Sequence, residues 1–166
     1  MSLSPTIDSI YTCARAGEKM IRQEKVKLVK GIGIDGDRYA LGLGAYSNLT
    51  PKKIRDVSII AKIGTEISNR LLKYDGLVEF DLSETRRNIV IDQMEPVVLN
   101  ALVGKVFYLG NIKLQGTELC EPCERPAKLL NKKGFMKAYD NHGGIRAEVL
   151  GTGEIKIGDL LICNEK

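Results

Sequence analysis

The sequence predicts a mostly β fold of barrel type with a few added helices, an α+β chain in which strands carry the architecture. Three observations point there: short alternating apolar and polar runs recur along the chain, glycines punctuate them as turns, and only two or three segments hold a helical period. An α/β layered fold is the alternative. Taken in order, "TIDSIYTCA" and "KMIRQEKVKLV" read as two strands, with Ala16-Gly17-Glu18 between them as a hairpin connection. "DVSII" is a third strand. It runs into "AKIGTEISNRLLKYDG", where Ile63, Ile67, Leu71 and Leu72 share one helical face and Asp75-Gly76 stops the helix. "RRNIVI" is again strand-like. Lys105 to Leu109 and Ile112 to Leu119 alternate on either side of Gly110-Asn111, a hairpin signal. The closing "GIRAEVLGTGEIKIGDLLICNEK" holds three short strands broken at Gly151, Gly153 and Gly158, with Ile155 and Ile157 pointing the same way.

A chain of 166 residues fits one domain, here residues 1–166, able to bury roughly 70% of the surface its unfolded form exposes. No repeat, low-complexity stretch or Pro/Ser-rich linker divides it. Four cysteines are too few for a disulfide scaffold, and the start "MSLSPTIDSIYTC" lacks the basic and apolar regions of a signal peptide. The expected location is the cytoplasm. No apolar run is long enough for a membrane span, so no membrane partner is expected. The formal charge of +4 suits a small anionic ligand better than nucleic acid, and 5% aromatics without tryptophan supply no stacking platform for single strands.

"GIGIDGDRY" contains a literal G-x-G-x-x-G at Gly31, Gly33 and Gly36. A dinucleotide site needs a helix to open at those glycines, because the helix N-terminus holds the pyrophosphate. The sequence that follows, "DRYALGLGAYSNLTP", breaks any helical period with Gly42, Gly44 and Pro51, so a long glycine-rich loop is predicted instead. Asp37, Arg38 and Tyr39 stand at its start, next to a strand end. They either face a ligand or pair in solvent.

"GTELCEPCERPAKLL" places Cys120 and Cys123 three positions apart with Pro122 just before the second thiol. Structural zinc needs a second pair of Cys or His ligands, and the chain offers only Cys13, Cys163 and His142 as singles. Thioredoxin-type chemistry needs a βαβ setting that the pattern lacks. A strand ending near Leu119, followed by a helix from Glu124 to Lys132, instead presents Cys123 at a rim and at a helix N-terminus, where a thiolate is favoured. Two small residues packing a corner are the plain alternative. Cys13 and Cys163, in alternating strands, are expected in the core. His142, in "DNHGGIRAEVL", is either a hydrogen-bonded structural residue or a loop base, with Arg146 on the strand facing that loop. Arg86, Arg87 and Asn88 open a strand as a set able to clasp a phosphate, though paired arginines at a strand edge are also commonly solvated.

Together these pieces resemble the MOSC family, named for the C-terminal domain of molybdenum cofactor sulfurases. The matching segments are "GIGIDGDRYA" with "GAYSN", "DVSII", "RRNIVI", "LVGKVFYLGNIKLQGTELCEPC", "HGGIRAEVL" and "GEIKIGD", and they span residues 30 to 160. Their order carries the likeness, together with "GTELCEPC" after an R-x-N strand. The resemblance implies a β-barrel with added helices that handles the molybdenum cofactor (molybdopterin) or its sulfur. It assigns the family's key cysteine, which follows a proline, to Cys123, as a persulfide carrier or, in amidoxime-reducing relatives, as the molybdenum ligand. Cys120 is then secondary. Arg87 and Asn88 match the family's strand-start pair, and Asp37 matches the acidic residue of its glycine loop, whereas Tyr39 stands where many relatives have histidine. No segment matches the extra N-terminal domain of longer cofactor-binding relatives.

What the resemblance implies for function is a cofactor-binding or sulfur-handling protein working through a reactive cysteine, either an oxidoreductase or a sulfur transferase. With the cofactor retained, the chemistry would be two-electron reduction of an N-oxygenated substrate, fed by an electron-transfer protein. The alternative is a sulfur carrier in cofactor maturation that takes sulfur from a donor and turns over nothing alone.

Overall fold

In the computed structural model, which describes residues 4–163, the alternating runs become strands that curl around one apolar interior. Thr6–Thr12 (β1) pairs antiparallel with Ile21–Gln23 (β2). The second predicted strand is split at Glu24, and its remainder, Lys25–Val29 (β3), pairs instead with Gly33–Ile34 (β4). Alternation continues through the break because each half has one buried face, but the faces belong to different sheets. Next come Val57–Ala61 (β5), the helix Lys62–Tyr74 (α1), a 3-10 turn at Leu82–Thr85, Ile89–Asp92 (β6) and the short helix Pro96–Asn100 (α2). Val106–Leu109 (β7) and Ile112–Leu119 (β8) form the predicted hairpin, and Arg125–Leu130 (α3) and Phe135–Ala138 (α4) follow. Ile145–Val149 (β9), Gly153–Lys156 (β10) and Leu161–Ile162 (β11) complete the chain.

Eight strands form one sheet in the order β11-β7-β8-β9-β5-β6-β1-β2, and β10-β3-β4 form a second. The larger sheet curls until the β11 end reaches β1, next to the outermost strand β2. Leu161 N–H donates to the Pro5 carbonyl at 2.9 Å, Ile7 N–H to Asp159 at 2.9 Å and Gly158 N–H to Ile7 at 2.8 Å, joining the β11 end to β1. Curling of this kind covers much of the sheet's edge and gives the half-barrel its interior. Ile59, Ile89, Ile91, Phe107, Leu114 and Ile145 fill it. Each such side chain, fully buried, contributes about 1.5–3 kcal/mol.

Strands β5 and β6 run parallel, joined by α1 as the crossover that parallel strands require. Their outer faces, Ile60 and Val90, pack under the helices with Leu72, Phe80, Phe135 and Tyr139. Burial on both sides explains why "DVSII" and "RRNIVI" read as nearly continuous apolar runs. The face of α1 differs from the sequence expectation. Its buried residues are Gly64, Thr65, Ser68 and Leu72, while Leu71 is 48% exposed and Ile63 and Ile67 are half-buried. Close approach selects these small side chains: a Cβ on Gly64 would lie 2.7 Å from Pro96 Cγ.

Two features aim the chain at the site. A bulge in the β8–β9 ladder between Gly116 and Glu118 re-aims the end of β8. The glycine-rich segment after β4 opens no helix, as expected, and folds back as successive turns. Cys13 is buried as expected, but Cys163 lies just past β11 and is exposed, because the terminal strand ends before reaching it. Among the described residues, no helix is long and apolar enough to cross a membrane.

Candidate functional site

After β8 ends at Leu119, residues 120–124 run without regular structure into α3. The predicted helix is shorter than its sequence span: its N-cap is Glu124, so Cys123 lies before the cap of a six-residue helix. The helix end is therefore not what surrounds the thiol. Cys123 is half-buried and opens on a recess of about 70 Å³ that it lines with Arg38, Arg86, Arg87, Arg125 and Arg146. Cys120 also borders the recess but is buried. Among the described residues no group of three His, Cys, Asp or Glu could hold a metal ion.

Arg87 is 7% exposed and holds the thiol loop in place. Its Nε donates to Gly143 O at 2.7 Å, its Nη1 to Thr85 O at 3.2 Å and its Nη2 to Cys120 O at 3.4 Å. One guanidinium thus ties the start of β6 to both the thiol loop and the segment before β9. The loop can sit there because residue 143 has no side chain, since a Cβ on Gly143 would lie 2.2 Å from Cys120 O. Among the described residues no carboxylate pairs with Arg87. Buried charge is ordinarily compensated.

The other arginines are held differently. Asp37 is fully buried with Arg38, so the pair does not sit in solvent: Oδ1 accepts from Arg38 Nη1 at 3.1 Å and from Cys13 N–H at 3.2 Å, and Oδ2 is buried without a partner. Arg38 Nη2 donates to Arg86 O at 3.1 Å. Arg86 adopts φ 62° at the end of the 3-10 turn and reaches Glu18 O at 2.7 Å and Cys13 Sγ at 3.5 Å. Burial, and then the nearby Arg38, push its guanidinium below its ordinary pKa. Arg146 on β9 pairs with Glu118 Oε1 at 2.8 Å. Three carboxylates, Asp37, Glu118 and the exposed Glu121, thus face five guanidiniums. The recess carries an excess of positive charge.

Tyr46 completes the site, and sequence reasoning missed it. Its hydroxyl lies 3.8 Å from Cys123 Sγ, and Arg55 stacks over its ring at 4.8 Å. The contact with Cys123 and then burial raise its pKa above the usual phenol value. "GAYSN" marked the segment, but a contact across 77 positions leaves no local signal.

Three predicted residues stay outside the recess: Asp37, buried behind Arg38, and also Asn88 and His142. Asn88 is buried and its amide is spent on the barrel: Oδ1 accepts from Ser58 N–H at 3.1 Å and Nδ2 donates to Tyr11 O at 3.1 Å, bridging β5, β6 and β1. His142 turns toward α1, where its Nδ1 lies 3.0 Å from Ser68 Oγ.

The family model described as "MOSC domain" matches residues 55–161. Among solved structures, the YuaD protein from Bacillus subtilis superimposes with a TM-score of 0.74 at 18% identity, covering 96% of this chain and 94% of that one. YiiM from Escherichia coli gives 0.69 at 15% identity, over 99% of this chain and 71% of that one. YiiM from Geobacillus stearothermophilus gives 0.68 at 15%, over 97% and 75% respectively. At these identities the likeness is one of fold. No curated protein matches the sequence.

Proposed function

Since the chain belongs to the MOSC domain family, we propose that it handles sulfur for molybdenum-cofactor chemistry, with Cys123 as the atom that accepts and passes the sulfur. One observation carries the reading: a half-buried thiol opens on a recess whose arginines outnumber its carboxylates. A thiolate is the nucleophilic form of cysteine, and a persulfide made from it is also anionic. Arg87, buried without a carboxylate partner, stabilises both, as do Arg38, Arg125 and Arg146 around it. Tyr46, kept protonated by its raised pKa, has a hydroxyl hydrogen to donate toward Cys123 Sγ.

The donor set fits the metal-bearing end of a molybdenum–pterin cofactor. Cys123 is a soft ligand of the kind such a metal accepts, and the arginines answer anionic oxygen and sulfur. When bound, the cofactor supplies two-electron chemistry at the metal. A recess of about 70 Å³ is small for the whole cofactor, which favours sulfur handling over its enclosure.

The test is to purify the protein from cells that make molybdenum cofactor and to measure cyanide-labile sulfur, molybdenum and pterin. Labile sulfur near one per chain is expected, lost in Cys123→Ser and kept in Cys120→Ser. Wild-type protein carrying neither labile sulfur nor molybdenum would overturn the reading. Molybdenum and pterin that depend on Cys123 would instead make the thiol a metal ligand.

A further inference from the structure

Resting on the reading of Cys123 as a sulfur acceptor, we propose that the arginine recess selects a small oxyanion bearing sulfane sulfur, of the thiosulfate type, as the sulfur donor. Three observations converge on this class. The first is charge. A guanidinium has five N–H donors; Arg87 spends three on carbonyl oxygens and keeps the rest, inside a site where no carboxylate of the described residues answers it. Arg125, which also lines the recess, adds a second guanidinium for which no carboxylate partner is found among the described residues. A sulfonate or similar oxyanion supplies acceptors for both, in the bidentate manner guanidinium favours.

The second is size. At about 15 Å³ per water-sized position, the recess of about 70 Å³ holds about five such positions. That room suits a compact anion such as thiosulfate, whereas an organic persulfide brings a carbon chain and carries its carboxylates away from the sulfane sulfur. The third is the position of the nucleophile. Cys123 Sγ borders the same recess as the guanidiniums and lies beside the Tyr46 hydroxyl at 3.8 Å, so an oxyanion held by the arginines is next to the thiol.

The step balances without another reagent. Cys123, its proton lost to solvent, attacks the sulfane sulfur as a thiolate, and a new S–S bond forms at Sγ. The bond between sulfane and sulfonate sulfur breaks, and its electron pair leaves on sulfite. The thiolate sulfur is oxidised to the persulfide level while the sulfonate sulfur is reduced to sulfite, and total charge is unchanged. Charge that builds on the departing sulfite is met by guanidiniums already in place, at no cost of reorganisation.

The experiment incubates the reduced full chain with thiosulfate or with glutathione persulfide, then follows intact mass and sulfite release. With thiosulfate, a mass gain of one sulfur on Cys123 and one sulfite per chain are expected, and both vanish in Cys123→Ser. Arg125→Gln should slow thiosulfate loading by about tenfold or more and slow persulfide loading clearly less, because that reaction loses only the support Arg125 gives the thiolate. Circular dichroism checks that this variant is folded, and Arg146→Gln serves as the second variant if it is not. Loading by glutathione persulfide but not by thiosulfate would overturn this inference and leave the sulfur-acceptor reading standing. Failure of both donors would overturn both. Thiosulfate loading that ignores both arginine substitutions would overturn the role of the recess in selecting the donor.

Discussion

At the scale of single residues, Arg87 and Tyr46 do different work around one thiol. Arg87 is structural and electrostatic at once, because its three carbonyl contacts fix the thiol loop while its charge stays uncompensated by the described residues. Arg87→Lys keeps the charge but has no planar fork to span three carbonyls. We expect it to lower unfolding free energy by about 2–3 kcal/mol in urea titrations; a loss within about 0.5 kcal/mol, the range of ordinary surface changes, would show that the grip matters little. Tyr46 offers a titration instead. Its pKa is raised first by the contact with Cys123 and then by burial. Cys123→Ala should therefore let the phenol ionise at lower pH, moving it back toward about 10. Carbon-13 NMR of ring-labelled tyrosine, with Tyr46→Phe to assign the resonance, measures this. An unchanged midpoint would break the coupling between the two side chains.

At the scale of elements, the segment between α4 and β9 decides where the thiol loop sits. Gly144 has φ +85°, and a Cβ there would lie 2.0 Å from Ile59 O on β5; at Gly143 the added atom would meet Cys120 O at 2.2 Å. Both obstacles are backbone and cannot swing aside. Gly144→Ala combines strain with collision and should cost more than about 3 kcal/mol. Gly143→Ala should cost less in stability but displace residues 120–124, so that sulfur loading of Cys123 falls out of proportion to the change in urea midpoint. Gly42→Ala serves as the reference, with positive φ but open space around it, and should cost about 1–2 kcal/mol. Equal losses at all three positions would mean that close approach is not what the glycines provide.

At the scale of the whole molecule, the helix-covered outer face of β5 and β6 gives stability an alkaline limit. Tyr139 is fully buried, stacked on Phe135 with centroids 4.5 Å apart, and its hydroxyl donates to Asn69 Oδ1 at 3.4 Å. Burial raises its pKa far above the ordinary value. The sign follows from proton counting: above pH about 10 the unfolded chain releases this proton while the folded chain keeps it, so stability falls as pH rises. The slope from this group is about 1.4 kcal/mol per pH unit. Tyr139→Phe should flatten the limb between pH 10 and 12 in urea unfolding. Some slope should remain, since Tyr46 and Lys62 are also raised, Lys62 by its hydrogen bond to Asp8. A wild-type curve without an alkaline decline would exclude this account.

The strands, their hairpins, the glycine loop and the rim position of Cys123 were legible in the sequence, because alternation, turn residues and a proline act on neighbours a few positions apart. The face of α1 was not, because apolarity marked Ile63, Ile67 and Leu71 while close packing against Pro96 selected Gly64 and its small neighbours. Nor was the split of the second strand, where one alternating pattern serves two sheets. Asn88 and His142 carried polar groups suited to a ligand, and only the fold turned them to barrel and helix partners. The sequence by itself determined that this is a β-rich chain presenting a thiol after a strand, since local propensity is encoded locally. That the thiol meets five arginines and Tyr46 in one recess was decided by tertiary structure alone, because curling the sheet and folding back the glycine loop bring together residues as distant in the chain as Arg38 and Arg146.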